Sequence, residues 1–549
     1  MMMRTIYRAA LAAVAGFLSV TAMAAAPRAA PTDAPTDAPT DRQYKARGEK
    51  SWADVRVLAD DAMEGRRAGT PGHRRAAEYV GQAFDRAGLT PGGDDGWFQE
   101  VNLISRTIRE ENSSVTLLRA GGERKIALGL EAAINLRGNF VPRVEAPLVF
   151  IGHGLKLPQY RHDDLAGIDV RGKFVVAFMS APTSVPGAVG AHNGAGVERW
   201  KVYRDAGALG IIGILNPFMM DLPWERAASA RLEPVLTLGP PEADLFAGMQ
   251  GWIMFNPAQA AVLFEGAPQS FDSILATLKE GKALPRFDLP AKVRIVTDAA
   301  VMTTKSENVI GILPGTDKRL RAEHVVLSAH LDHLGVGTHG TGDQLYNGAM
   351  DNATGIAGMI DIARELTSKN IAPRRTVVFA AVTAEESGLL GSRAFVSRAE
   401  RKKIDMVANL NTDMFLPLFP LKHLTVFGLE ESDLGADVRA VAVSLGVAVQ
   451  TDPQPLRNRF IRSDQYSFVR AGVPALALKV GFEPGSPEAE IEKKWFAERY
   501  HAVGDDLNQP VDLTGMGKYS ELLQRLTLRV ANRDTAPAWN KGSAFFKER

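Results

Sequence analysis

From Glu323 the chain reads Glu-His-Val-Val-Leu-Ser-Ala-His-Leu-Asp-His. A short run of β-branched and apolar residues of this kind is the pattern of a buried strand, and it places His330 and Asp332 at the strand's C-terminal end. Ligands of open α/β sheets collect at that edge. An imidazole can bind a divalent metal through one ring nitrogen while a carboxylate two residues away takes the other N–H and fixes the tautomer. A lone His-x-Asp also occurs at exposed strand-end turns, so the pattern has to be read with the others in the chain. A second run, Thr376-Val377-Val378-Phe379-Ala380-Ala381-Val382-Thr383, ends in Ala384-Glu385-Glu386-Ser387-Gly388. Two adjacent carboxylates at a strand end repel each other unless a cation neutralises them, and they can then divide into a ligand and a general base. The competing reading is a solvated helix N-terminus with Glu385 and Glu386 set against the helix dipole. A third run, Met406-Val407-Ala408-Asn409-Leu410-Asn411, ends in Thr412-Asp413, and far downstream Arg499-Tyr500-His501 is followed by Asp505, an acid that can stand behind the histidine.

The ordered set AHLDH at 329–333, YNGAMDNATG at 346–355, AEESGLLGS at 384–392, NTDM at 411–414, RSDQYSF at 462–468 and RYH at 499–501 resembles the M28 family of zinc peptidases. The resemblance implies two zinc ions, one held by His330, Asp351 and Asp413 and the other by Asp351, Glu386 and His501, with Asp351 bridging. It implies Glu385 as the general base, Asp332 as the acid behind His330, Tyr500 as a stabiliser of the oxyanion, Arg462 as a substrate-side arginine, and a cis peptide bond after Asp351. Cobalt or manganese fits the same oxygen and imidazole ligands. Gln465 departs from the family pattern, which has a histidine there in many members. The activity implied is that of a di-zinc exopeptidase acting on peptides or proteins, foremost an aminopeptidase. A carboxypeptidase or dipeptidase of the same superfamily is the rival; its glutamate carboxypeptidase branch carries a long helical region after the last histidine, whereas this chain runs only from His501 to Arg549. A non-catalytic binding protein on the same fold would be expected to have lost ligands that are all present here, and a glutaminyl cyclase would lack an insert of the kind described below.

The alternation of strand patterns with helical ones at 353–369, 388–399 and 436–446 argues for an α/β fold: a mostly parallel sheet with helices on both faces. Between about Phe140 and Phe287 the grammar changes to short β runs rich in Gly and Pro. Gly152-His153-Gly154, Asp163-Asp164, Gly172-Lys173-Phe174-Val175-Val176-Ala177-Phe178 and Gly207-Ala208-Leu209-Gly210-Ile211-Ile212 follow in an order that resembles an inserted protease-associated (PA) domain. The expected organisation is therefore a signal peptide at 1–24, a disordered Pro/Thr/Asp/Ala linker at 25–45, a catalytic domain at 46–139 and 288–549, and the PA insert at 140–287. His153, His162 and His192, in loop-like positions without matching carboxylates, are expected to be structural.

Composition narrows the partners. The 549 residues carry a formal net charge of +1, 64 basic against 63 acidic, so nothing in the bulk charge selects nucleic acid or an anionic membrane. No cysteine is present, which leaves His and carboxylate as the metal ligands. Arg4 and Arg8 precede an apolar run from Ala9 to Val20, followed by Ala22-Met23-Ala24. This is an export signal, and it predicts a periplasmic or secreted product without a membrane span. Oligomeric state is not readable from the sequence.

Overall fold

The computed structural model describes residues 39–220, 223–242, 244–337 and 341–546. The expected signal peptide and the linker up to residue 38 lie outside the described residues. The rest of the expected linker is corrected: Asp41–Leu58 is a helix, α1. Thr40 caps it, its hydroxyl accepting from the Gln43 amide at 3.4 Å while the Gln43 side chain accepts from the Thr40 amide at 2.8 Å, a reciprocal capping box that stops the low-complexity tract.

One large sheet carries the strands expected from the apolar runs. In chain order they are β1 Phe98–Ile108, β2 Val235–Leu238, β3 Ala299–Leu313, β4 Glu323–His330, β5 Thr376–Val382, β6 Asp405–Thr412, β7 His423–Phe427, β8 Ala448–Gln450 and β9 Ala475–Gly481. In space the order is β2-β1-β3-β5-β4-β6-β9-β7-β8. The parallel part is the centre, β5-β4-β6-β9. On one flank β3 pairs antiparallel with both β5 and β1, and on the other β7 pairs antiparallel with β9.

Among the helices that frame this sheet are α2 Thr354–Ser368, α3 Leu390–Arg401, α4 Pro487–Glu498 and α5 Leu513–Ala531. Val325, Leu327 and Ala329 of β4 pack into one core with Val55 of α1, Ile356 and Ile360 of α2 and Leu522 and Leu526 of α5. Val326 points the other way, into a core with Phe395 and Val396 of α3 and with Phe468. Both faces are thus covered, which is why the central strands read as unbroken apolar runs. Each fully buried Val or Leu of this kind contributes about 1.5–3 kcal/mol. Helices α1 and α5 cross at a notch: a Cβ on Gly48 would run into the Leu513 carbonyl oxygen, and one on Gly517 into that of Tyr44. Arg47 of α1 adds an ion pair to Asp361 of α2 at 2.6 Å. Among the described residues no helix is long and apolar enough to cross a membrane.

A second, eight-stranded sheet has two apolar cores of its own, one around Phe150, Phe178 and Phe264 and one around Trp200, Tyr203 and Ile211. It draws strands from Ser114–Arg119 through Phe287–Val296, a wider stretch than 140–287. Within that stretch Val235–Leu238 leaves the second sheet and pairs antiparallel with β1 at the edge of the large one. The two sheets are therefore stitched together by a returning strand as well as by the chain's entry and exit.

Candidate metal centre

Strand register brings the motifs together. His330, the last residue of β4, lies opposite Val382 of β5, and Ser328 lies opposite Asn411 of β6. The three strands end level, so His330, the Glu385-Glu386 pair just past β5 and Asp413 just past β6 share one edge. Asp351 sits in an irregular turn, Ala349–Ala353, that opens α2, and its peptide bond to Asn352 is cis as expected. His501 follows α4.

Two histidine–carboxylate clusters result, joined by one residue. Nε2 of His330 is 3.1 Å from Asp413 Oδ1 and 3.3 Å from Asp351 Oδ1. Nε2 of His501 is 3.2 Å from Glu386 Oε2 and 3.4 Å from Asp351 Oδ2. Asp351 thus turns one oxygen to each cluster. Ligating atoms of His330, Asp351 and Glu386 all lie within 4.8 Å of one another.

Electrostatics follow from crowding acids in a buried space. Burial alone would push the His330 and His501 imidazoles down, but Asp413 and Asp351 on one, and Glu386 and Asp351 on the other, hold both well above the usual value. Burial favours protonation of Asp351 and Glu386; the histidines overcome it, holding Asp351 well below its usual range and Glu386 at about 2. Glu385 differs. Burial pushes it well up, His330 opposes, and Asp413 and Glu386 push it further up. Neighbouring Asp464, with neither oxygen hydrogen-bonded, is driven by burial to about 7. So many buried carboxylates in one space are costly without cations between them, and a hard-oxygen and imidazole set without thiolate suits a divalent ion such as zinc.

The supporting residues are only partly those expected. Nδ1 of His330 donates to the Asp332 backbone carbonyl at 3.1 Å, which leaves Nε2 facing the carboxylates. The Asp332 carboxylate is 4.0 Å from that nitrogen and instead accepts from the Glu385 and Glu386 amides at 3.0 and 3.4 Å. It orients the acidic loop more than the imidazole. Asp505, expected behind His501, accepts from the Met350 and Asp351 amides at 2.9 and 3.0 Å and so fixes the turn that carries Asp351. His333 is buried with Nδ1 2.8 Å from Glu386 Oε1. Gln465 accepts from Asn411 and donates to the Phe460 carbonyl, both at 2.8 Å, which is a packing role.

Sequence reasoning did not single out Arg66. It is fully buried and donates to the carbonyls of Leu58, Leu331, Asn347 and Gly348 at 2.5–2.9 Å, gripping the strand end and the ligand-bearing turn together. A charged residue in a Gly-Arg-Arg stretch, 265 or more positions from most of its acceptors, leaves no local signal. Tyr500 stacks on His501 with 4.0 Å between ring centroids, and burial, then Asp351 and Glu386, raise its hydroxyl so that it stays protonated. Tyr500 and Arg462 both line a cleft of about 1100 Å³ whose floor holds Asp351, Glu385, Glu386 and Asp413. Trp252 and Arg137 of the second sheet's region form part of its wall.

Residues 308–527 match the family described as Peptidase family M28. Among solved structures, the aminopeptidase from Aneurinibacillus sp. strain AM-1 is similar over 90% of this chain and 97% of its own, with a TM-score of 0.53 at 19% identity, a likeness of fold. The vacuolar membrane protease of Lachancea thermotolerans is 29% identical over 148 residues, 27% of this chain and 14% of that protein. A probable glutamate carboxypeptidase of Arabidopsis thaliana is 28% identical over 145 residues, 26% of this chain and 19% of its own length. The chain thus spans less than a fifth of these two relatives. The ordered motifs gathered at one sheet edge all lie within residues 308–527, the stretch that matches peptidase family M28.

Proposed function

We propose that the protein is a di-zinc aminopeptidase. The observation that carries this reading is Asp351, which turns its two oxygens to two separate histidine–carboxylate clusters, His330 with Asp413 and His501 with Glu386. These five residues would hold two ions, and ions bound there supply Lewis acidity toward the scissile carbonyl and a more acidic water. Glu385 makes no side-chain hydrogen bond to a described residue, unlike Glu386, and is the group left to accept a proton from the attacking water and return it to the leaving amine. Tyr500, kept protonated by burial, donates a hydrogen bond to the oxygen that gains charge. Asp332 keeps Glu385 and Glu386 in place through their amides. Arg462 on the cleft wall orients the substrate backbone. The second sheet's region is the PA domain of the resemblance, and the basic and apolar N-terminal stretch that ends near Ala24 supports export to the periplasm or the medium.

Which end of the peptide is attacked is tested with one sequence in three forms: free at both ends, N-acetylated, and C-amidated, each incubated with the zinc-supplemented protein and with a chelator. We expect stepwise release of N-terminal residues from the free and amidated peptides, none from the acetylated one, loss of activity with chelator and recovery with zinc. Release of C-terminal residues from the acetylated peptide would make the protein a carboxypeptidase instead.

A further inference from the structure

Arg137 is the cleft residue whose placement the proposed chemistry leaves unexplained. It comes from the second sheet's side, three residues past the strand Ala132–Ile134, and projects into the cleft toward the Glu385–Gly388 turn. A Cβ built on Gly388 would lie 3.5 Å from Arg137 Nη1, so the guanidinium rests against the one residue of that turn with no side chain to shield it. Protein surrounds it closely, yet its surface stays open to the solvent of the cleft.

The loop carrying it is braced from both sheets. Arg106 of β1 donates to the Leu136 and Gly138 carbonyls at 3.2 and 2.9 Å and to Asn139 Oδ1 at 3.1 Å. Asn135 Oδ1 accepts from the Arg137 amide at 3.0 Å, and Asn139 donates to Asp244 Oδ2 at 2.5 Å. A Cβ on Gly138 would strike the Met249 sulfur, so the backbone there is tightly packed. A segment held in this way fixes where the Arg137 side chain leaves the backbone, at the mouth of the cleft.

The guanidinium itself has no hydrogen-bond or ion-pair partner among the described residues. Other carboxylates of the cleft wall are already engaged: Glu198 with Lys201 and Arg470, and Glu242 with Arg401. Glu385 and Glu386 act on Arg137 only through their field. An arginine fork that lines a semi-enclosed cleft and is left without an anion matches the planar geometry of a carboxylate.

We propose that Arg137 is a specificity residue that receives a carboxylate of the substrate, making the enzyme select short peptides with a free C-terminus or peptides with an acidic side chain near the scissile bond. This rests on the aminopeptidase reading. The second sheet thereby contributes directly to substrate choice, across the cleft from the metal ligands.

The test uses the full-length, zinc-supplemented protein with leucyl-glycine against leucyl-glycinamide, and leucyl-glutamate amide against leucyl-glutamine amide. The intact protein should prefer the carboxylate-bearing member of at least one pair by about 10- to 100-fold in kcat/KM, expressed mainly in KM. Preference in the first pair identifies the terminal carboxylate, and in the second an acidic side chain. In Arg137→Gln the ratio should collapse to near unity, and Arg137→Lys should keep part of it. Hydrolysis without discrimination in either pair, or a ratio that survives Arg137→Gln, overturns the proposal while leaving the aminopeptidase reading intact. Absence of hydrolysis of all four overturns that reading instead. The same ligands titrated calorimetrically into zinc-supplemented protein and Arg137→Gln then decide the Arg137 assignment without turnover: equal affinity for acid and amide in the intact protein refutes it.

Discussion

Glu385→Gln should lower kcat by about 10²- to 10⁴-fold while the protein keeps its zinc. Glu386→Ala should lose both activity and metal. The two residues are adjacent in sequence but not equivalent in surroundings: Glu386 faces His501 and His333 at 3.2 and 2.8 Å, whereas the Glu385 side chain has no such partner. Burial and the neighbouring acids push Glu385 well above the ordinary carboxylate range, and two cations beside it would bring it back toward a value useful for accepting a proton near neutrality. An amide in its place preserves size and loop geometry but cannot take the proton, so the effect falls on kcat with KM little changed. Elemental analysis and steady-state kinetics on the two variants check this together. Full metal loss in Glu385→Gln would exchange the roles of the two glutamates.

Arg66→Met should destabilise the protein by about 3–5 kcal/mol and empty the metal centre, although Arg66 touches no proposed ligand side chain. Its guanidinium satisfies four buried carbonyls drawn from α1, the end of β4 and the turn before Asp351. Removing it leaves those acceptors buried and unpaired, while methionine fills the space without replacing a single donor. Burial lowers the Arg66 pKa to about 10, offset by Asp505, Asp332 and Asp351, so it remains charged at neutral pH. Lysine, with a compact ammonium in place of a fork, should recover only a minor part. Denaturant midpoints and zinc affinity of Arg66→Met and Arg66→Lys measure the effect. An unchanged midpoint in Arg66→Met would show that the clamp contributes nothing.

The central strands were legible because burial on both faces makes Val325–Leu327 and Val377–Val382 continuously apolar, and the candidate site was legible because its residues stand where those runs stop. Sheet order was not. Nothing local in Val235–Leu238 marks it as the edge partner of Phe98–Ile108, since pairing between strands so distant in sequence is decided by the packed whole. The helix start at Asp41 was hidden inside a low-complexity tract, though Thr40 and Gln43 carry the capping pattern. Supporting hydrogen bonds were the least legible part. Asp505 was expected behind His501 from its proximity in sequence, but its carboxylate is used by the Met350 and Asp351 amides. Arg66 and Arg137 look like ordinary surface arginines until the fold brings carbonyls to one and an open cleft to the other.

Asp351 is proposed to join two metal sites, one oxygen turned to each. Saturating zinc titration of the intact protein, followed by elemental analysis after removal of free metal, tests it most directly when run beside Asp351→Ala. Two zinc ions per chain are expected in the intact protein, with weakened binding at both sites in Asp351→Ala. A single zinc per chain, or two ions held by Asp351→Ala with unchanged affinity, would contradict it.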